Sequence, residues 1–374
     1  MSLLASNSIK QSLNRLRYLS TASDTIDVSI EEAKSTTSKA LQKIGWDTND
    51  ANIQAEIMTS AEICGNNQGL VKMYQPHLMA PDSKASKPCV ERDTLLSAVV
   101  NGNQSPGMYY MFVFLYLRLI ILHIGMLAAS LASDLAIQKV KKSGVISITS
   151  SYNTSTSSGQ LGYYVGRMAQ NGVIGLAFAN SPEFVAAAKG GKPVFGTNPL
   201  AVGIPKKDNP FVFDMSTSAI ALFGVLSSKA KGEALPKNVA YGKDGEWTTD
   251  ASEVLNGGSI ATFGGHKGTG LSLCVELLAG ALSGSAVLGQ CESKKAAKSW
   301  GHLFIAINPN ALVDDYEDKV SSIIETVKQS SSEGIRIPGE SSTRIANARR
   351  EAGVLPIPKK IWDSILHTAE YGLK

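Results

Sequence analysis

A chain of 374 residues, 43% hydrophobic and 18% charged, is long enough to bury one large core or two moderate ones, and this composition excludes a disordered protein. Its formal charge of +4 includes Lys10, Arg15 and Arg17 in the acid-free stretch Met1 to Ser23, and without them the remainder carries +1. No Lys/Arg run with interleaved aromatics occurs, so nucleic acid is not an expected partner.

Met1 to Ser23, rich in Ser and Leu, sets Ile9, Leu13 and Leu16 at helical spacing beside those three cations. This is the composition of a mitochondrial transit peptide, so the matrix is the expected location and the cytoplasm the alternative. From Asp24 the pattern turns helical. Ser29 and Glu32 form a capping box, and Ala33, Thr37, Ala40, Leu41 and Ile44 share one face before Gly45 ends it. A second helix is expected from Asp47, carrying Ala51, Ala55 and Met58 and ending near Gly65. Gly65 to Pro81 holds two glycines and two prolines and is read as loop and short helix.

Tyr109 to Gly125, YYMFVFLYLRLIILHIG, is almost unbroken in its apolar character. A membrane span needs about 20 apolar residues, and this run falls short of that. Arg118 and His123 also lie inside it, so a membrane anchor is not expected. The dipeptide Gly107-Met108 recurs as Gly125-Met126, and removing Tyr109 to Met126 joins NGNQSPGM to LAASLASDLAIQKVKKSG as one capped helix. The segment 109–126 is therefore read as an insertion, of the kind an unspliced intron produces.

A helix follows from Leu127 through Leu131 and Leu135, closing on Lys139, Lys141 and Lys142 before Gly144, where cations suit the helix dipole. Strands are expected at Val145 to Thr149, Val173 to Ala179, Leu200 to Ile204, Phe211 to Asp214 and Leu303 to Ile307. Between them lie helical stretches at Leu161 to Gln170, Gly270 to Leu282 and Tyr316 to Lys328, the interleaving of an α/β domain. From Arg336 the chain reads as a polar helix, a Pro-punctuated linker and an amphipathic end. The expected organisation is a helical segment 24–100 packing with a C-terminal helical segment 311–374, and a central α/β domain 127–310. Cys64, Cys89, Cys274 and Cys291 are scattered, with no CxxC and no His at ligand spacing, so buried free thiols are expected and no metal site.

Two segments could carry chemistry. GGHKGTG, Gly264 to Gly270, lacks the ending of a P-loop and the preceding strand of a dinucleotide fingerprint, yet it opens a helix, so its N–H groups and Lys267 could hold a phosphate. The plain alternative is a tight turn with a solvated lysine. FGTNPLAVGIP followed by PFVFDMSTS presents Thr197, Asn198, Asp214, Ser216, Thr217 and Ser218 at strand ends, where ligand contacts and simple turn caps both occur.

Taken in order, the blocks from GYYVGRMAQNGVIGLAFANSPEF to FGTNPLAVGIP, then FDMSTS, GGHKGTGLSLCVELLAGALSG, GHLFIAINP and RIPGE resemble the type 2 malate/L-lactate dehydrogenases. That family also includes ureidoglycolate dehydrogenase, diketogulonate reductase and cyclic ketimine reductase. The resemblance implies a non-Rossmann nicotinamide-binding α/β fold and a homodimer. It also implies hydride transfer between NAD or NADP and a small 2-hydroxy or 2-oxo acid, or a related imine.

By position, Ser181, Asp214, Met215, Ser216, Thr217, Lys267, Gly339 and Glu340 fall where relatives contact the cofactor, and Gly159 and Gly162 match glycines beside the pocket. Where the family has SHGxxR, this chain has NQGLVK, so Gln68 stands for the histidine and Lys72 for the arginine; Ser157 stands where relatives have a second histidine. Gln and Ser are not general acids at neutral pH. Lys72 keeps the positive charge a carboxylate needs and loses the guanidinium fork. His266 is the first candidate for a proton donor, with His77 and Tyr74 behind it, although a lone histidine is more often structural. The alternative function is a dimeric nucleotide-binding sensor or scaffold with impaired catalysis.

Overall fold

The computed structural model describes residues 25–66, 68–81, 87–103, 124–154, 157–288 and 300–373. The first half of the chain gives β1 (Thr25–Ser29), α1 (Ile30–Lys43), α2 (Thr48–Ile63), 3-10 turns at Leu70–Tyr74 and Pro76–Met79, β2 (Cys89–Asp93), β3 (Ser97–Asn101), α3 (Ile124–Ser143), β4 (Ile146–Thr154), α4 (Leu161–Gln170) and β5 (Ile174–Ala179). Then come β6 (Val185–Ala186), β7 (Pro193–Phe195), β8 (Leu200–Ile204), β9 (Phe211–Met215), α5 (Leu222–Lys231), β10 (Ala240–Tyr241), α6 (Ala251–Leu255), β11 (Ser259–Ala261) and α7 (His266–Val275). A π-helical stretch Glu276–Ala281 continues α7, followed by β12 (Trp300–Ile307), α8 (Tyr316–Gln329), α9 (Glu340–Ala352), β13 (Val354–Pro358) and α10 (Lys359–Tyr371).

The chain divides into two compact units, one ending at Ala80 and resuming at Glu340, the other running from Pro81 to Gly339. These boundaries differ from the expected 100 and 311, because β2 and β3 join the large sheet and α8 belongs with the sheet-bearing unit.

In the first unit, the Ser29 hydroxyl accepts the Glu32 N–H at 3.1 Å and the Asp47 carboxylate accepts the Asp50 N–H at 3.0 Å, so both helices start at side-chain caps. Ala33, Ala40 and Leu41 of α1 and Ala51, Ala55 and Met58 of α2 are fully buried. The Pro-punctuated segment is a strand rather than a linker: β13 pairs antiparallel with β1, Ile26 opposite Ile357 and Val28 opposite Leu355. Leu355 and Ile357 turn inward, and Pro356 and Pro358 beside them are tolerated because a two-stranded ribbon asks for few N–H donors.

In the second unit, a seven-stranded sheet runs β2-β3-β4-β12-β5-β8-β9. Only β3 and β4 are parallel; the other neighbours pair antiparallel, which sets the fold apart from a doubly wound nucleotide-binding sheet. α3 packs on β3, β4 and β12, and α4 on β5, β8 and β9. A smaller sheet, β10-β11-β6-β7, closes its own core with α5 and α6 around Val185, Phe195, Val225 and Ile260.

β4 starts at Ile146 rather than Val145 and extends to Thr154, because its outer residues pair with β3 and β12. The helix expected from Gly270 starts at His266 and changes to π geometry at Glu276, a form often found at functional sites. A short strand, β11, does precede GGHKGTG. Of the apolar run Tyr109 to Gly125, everything to His123 lies outside the described residues, as do residues 1–24. Among the described residues no helix is long and apolar enough to cross a membrane. The thiols are not buried as expected: Cys89 and Cys274 are exposed and Cys64 is half-buried, since β2 is a solvent-facing edge strand and Cys274 lies on the outer side of α7; Cys291 lies outside the described residues.

Candidate functional site

The polar ends of β8 and β9 and the start of α7 are joined by hydrogen bonds into one wall of the larger unit. Thr217, fully buried, donates through its hydroxyl to the carbonyls of Thr197 at 3.2 Å and Asn198 at 3.0 Å, and accepts the Ser272 hydroxyl of α7 at 2.8 Å. Ser181 accepts the Thr197 N–H at 3.2 Å, bringing the NSP segment to the same turn. Ser218 donates to the Ser216 hydroxyl at 3.1 Å and pairs across a bridge with Thr262, while the Phe263 N–H reaches the Thr217 carbonyl at 3.0 Å. Ser181, Ser216, Thr217 and the glycine loop therefore share one neighbourhood.

The loop geometry depends on glycine. Gly265 holds φ 61°, ψ −124°, a backbone state essentially closed to residues with a side chain, and a Cβ there or at Gly264 would meet nothing within 4 Å. Thr262 closes the loop by contacts with Gly265 O and the Thr269 hydroxyl, both at 3.0 Å. α7 begins with no side-chain cap, and His266 and Lys267 in its first turn are exposed. Uncapped N–H groups, a helix dipole and a lysine fit an anionic phosphate.

Asp214 and Met215 end β9. The Asp214 carboxylate accepts the Gly162 N–H at 2.7 Å and so caps the first turn of α4, whose own cap residue Gln160 contributes no side-chain bond. The protein packed around this carboxyl pushes it up to about 6, against the Gly162 donation that lowers it, even though part of the residue faces solvent. Gly339, in the turn before α9, is pressed against this strand: a Cβ there would meet the Val212 carbonyl at 2.6 Å. Gly159 and half-buried Ser157 immediately precede α4, and Ser158 accepts the Tyr164 hydroxyl at 2.7 Å.

Gln68, Lys72 and Glu340 belong to the smaller unit. Gln68 donates its N–H to the Asn66 side chain at 2.9 Å, opening the turn that leads into Leu70–Tyr74. Lys72 is half-buried there, and burial lowers it to about 8. Glu340 is the first residue of α9, where an acid suits the dipole. Tyr74, at the end of the Leu70–Tyr74 turn, and His77, in the Pro76–Met79 turn that follows, are exposed. Among the described residues no three His, Cys, Asp or Glu are grouped so as to hold a metal ion.

Two carboxylates escaped the sequence reading. Glu276, buried in the π stretch, accepts from the amides of Asn198 at 2.8 Å and Asn180 at 3.3 Å, and the Asn198 amide also donates to the Ser272 carbonyl at 3.1 Å. Glu276 thus holds the FGTNP turn against α7 from beneath. Glu62 at the end of α2 accepts the Leu70 N–H at 3.0 Å; burial pushes it up to about 7, against the lowering effects of Arg349 and that N–H. The signal for both was a lone acid in an apolar helical run, LCVELLAG and SAEIC. A third buried group, His302, is held at about 4 by burial and faces Ser151 at 3.0 Å, so its uncharged form prevails at physiological pH and it is not an imidazolium acid.

The sequence profile described as malate/L-lactate dehydrogenase matches residues 122–366. The chain belongs to the malate/L-lactate dehydrogenase family. It is 36% identical over 287 residues to the L-sulfolactate dehydrogenase of Methanothermobacter thermautotrophicus, covering 75% of this chain and 76% of that one. Among solved structures, malate dehydrogenase from Entamoeba histolytica superposes with a TM-score of 0.81 at 25% identity, covering 94% of this chain and 99% of that one. The delta1-piperideine-2-carboxylate reductase from Pseudomonas syringae pvar. tomato follows at a TM-score of 0.77 and 26% identity, over 92% and 100% of the two chains. The mixed α/β fold is the family's.

Proposed function

We propose that this protein is an NAD- or NADP-dependent oxidoreductase that transfers a hydride between the nicotinamide and a small 2-oxo or 2-hydroxy acid, or a related cyclic imine. The observation that carries the reading is the hydrogen-bonded joint of Ser181, Thr197, Thr217 and Ser272, which fixes the start of α7, with no side-chain cap and with exposed Lys267, beside the ends of β8 and β9. Bound there, the nicotinamide supplies the hydride. Malate, sulfolactate and piperideine-2-carboxylate, the substrates in the relatives' names, all carry a carboxylate on the reacting carbon. Lys72 is the cation assigned to that carboxylate; Gln68 and Ser157 are assigned hydrogen bonds to the oxygen or nitrogen being protonated, and His266 is the first candidate to deliver the proton.

Incubation with NADH or NADPH and a panel of 2-oxo acids and cyclic ketimines tests this. Oxidation of the reduced nucleotide with at least one member is expected. Binding of the nucleotide with no turnover across the panel would instead favour the sensor or scaffold, a reading that Gln68 and Ser157 support because neither can act as a general acid.

A homodimer and a mitochondrial location complete the proposal. Leu271, Leu273, Leu277 and Leu282 are exposed along α7 and its π continuation, an apolar surface suited to a second copy. Light scattering should give twice 39.6 kDa, and a monomer refutes the dimer. Met1 to Ser23 supplies the composition of a transit peptide. A reporter fused to that segment should enter mitochondria; one that stays in the cytosol refutes the location.

A further inference from the structure

The geometry points to Glu62 as a positioning residue: its carboxyl group fixes the turn that carries Gln68 and Lys72, and thereby sets where the lysine presents its charge to the substrate. The inference rests on the assignment of Lys72 to the substrate carboxylate. Four contacts define the turn. The Leu70 N–H donates to Glu62 Oε1 at 3.0 Å. Gly69 lies against α2, where a Cβ would meet the Met58 carbonyl at 2.5 Å and Glu62 Oε1 at 3.0 Å, so the backbone is pressed onto the glutamate. The Lys72 N–H closes on the Gly69 carbonyl at 3.2 Å, placing the lysine one turn beyond the anchored amide. At the far end, Ser364 of α10 donates its hydroxyl to the Met73 carbonyl at 2.8 Å, while the Leu70 and Met73 side chains are fully buried.

Of these, only the Glu62 contact is made by an ionisable group, and that group is itself held: Arg349 of α9 donates to the Glu62 backbone carbonyl and lies close enough to attract its carboxylate. What the turn needs from this side chain is an acceptor for the Leu70 N–H, held in place by the tie of the Glu62 backbone to α9. Its placement between Arg349 and the Gly69-Leu70 amide makes it the link between α9 and the lysine-bearing turn.

Glu62→Ala removes the acceptor and Glu62→Gln retains one. In the full-length protein, Glu62→Ala should raise KM for a reactive 2-oxo acid about tenfold, the loss of one hydrogen bond, while kcat and the Kd for the nucleotide stay within about twofold. The Leu70 amide should exchange with deuterium at least about tenfold faster, with exchange in the large sheet unchanged. Glu62→Gln should restore both KM and protection. Unchanged KM and Leu70 protection in the alanine variant overturns the inference, and so does a parallel rise in nucleotide Kd, or a Gln variant as impaired as Ala. If the alanine variant does not fold, Glu62→Asp, which keeps the charge and withdraws it from Leu70, is judged by the same readouts. Absence of turnover in the unaltered protein defeats the functional assignment, and amide exchange then decides the role of Glu62 by itself.

Discussion

Lys72 carries the most distinctive chemistry of any single residue, because burial brings its pKa to about 8. The charged form therefore dominates at neutral pH and is lost as pH rises through that value. KM for a 2-oxo acid should be flat below neutrality and should rise about tenfold by roughly pH 9, whereas Lys72→Arg, which does not titrate there, should hold a constant KM. Lys72→Met should raise KM about 10- to 100-fold at neutral pH, the worth of a hydrogen-bonded charge. A wild-type KM that ignores pH up to about 9 removes Lys72 as the partner of the carboxylate. This residue was legible in NQGLVK, since a lysine can be read from the sequence. Its lowered pKa was not, because desolvation exists only once Leu70, Met73 and their neighbours have packed. Glu62 and Glu276 were missed for the same reason.

At the level of elements, the amphipathic helices were the most legible. Leu161–Gln170 has the expected bounds, and the Ser29 and Asp47 caps form the expected bonds. Local periodicity and capping chemistry decide such elements, so a short window of sequence suffices. β1 and β13 depend on each other across almost the whole chain, and Val354–Pro358 shows only its prolines until Thr25–Ser29 lies beside it. The change to π geometry at Glu276 was also invisible, because it is coupled to a carboxylate reaching Asn198 and Asn180. Glu276→Ala should leave those amides short of an acceptor, costing on the order of 2–3 kcal/mol and lowering the melting temperature by roughly 4–8 °C, with Glu276→Gln costing less. An alanine variant as stable as the wild type by calorimetry would show that the network does not hold the FGTNP turn.

Across the whole molecule, strands alternating with helices gave the α/β class, and the ordered blocks from GYYVG to RIPGE gave the family. The strand order was beyond reach: β12 inserts between β4 and β5, a pairing of segments far apart in the chain that no local pattern encodes. The division at Ala80 and Glu340 follows from the same long-range pairings. The hydrogen-bonded turns at the ends of β8 and β9 and the start of α7 lead to one expectation, a nucleotide held beside them. The most direct measurement is a calorimetric titration of the full-length protein with NADH and NADPH, repeated on Gly265→Ala. One site per chain for at least one nucleotide, weakened by about tenfold or more when the strained glycine loop is altered, is the predicted result. No binding of either nucleotide, or binding indifferent to Gly265, would contradict it.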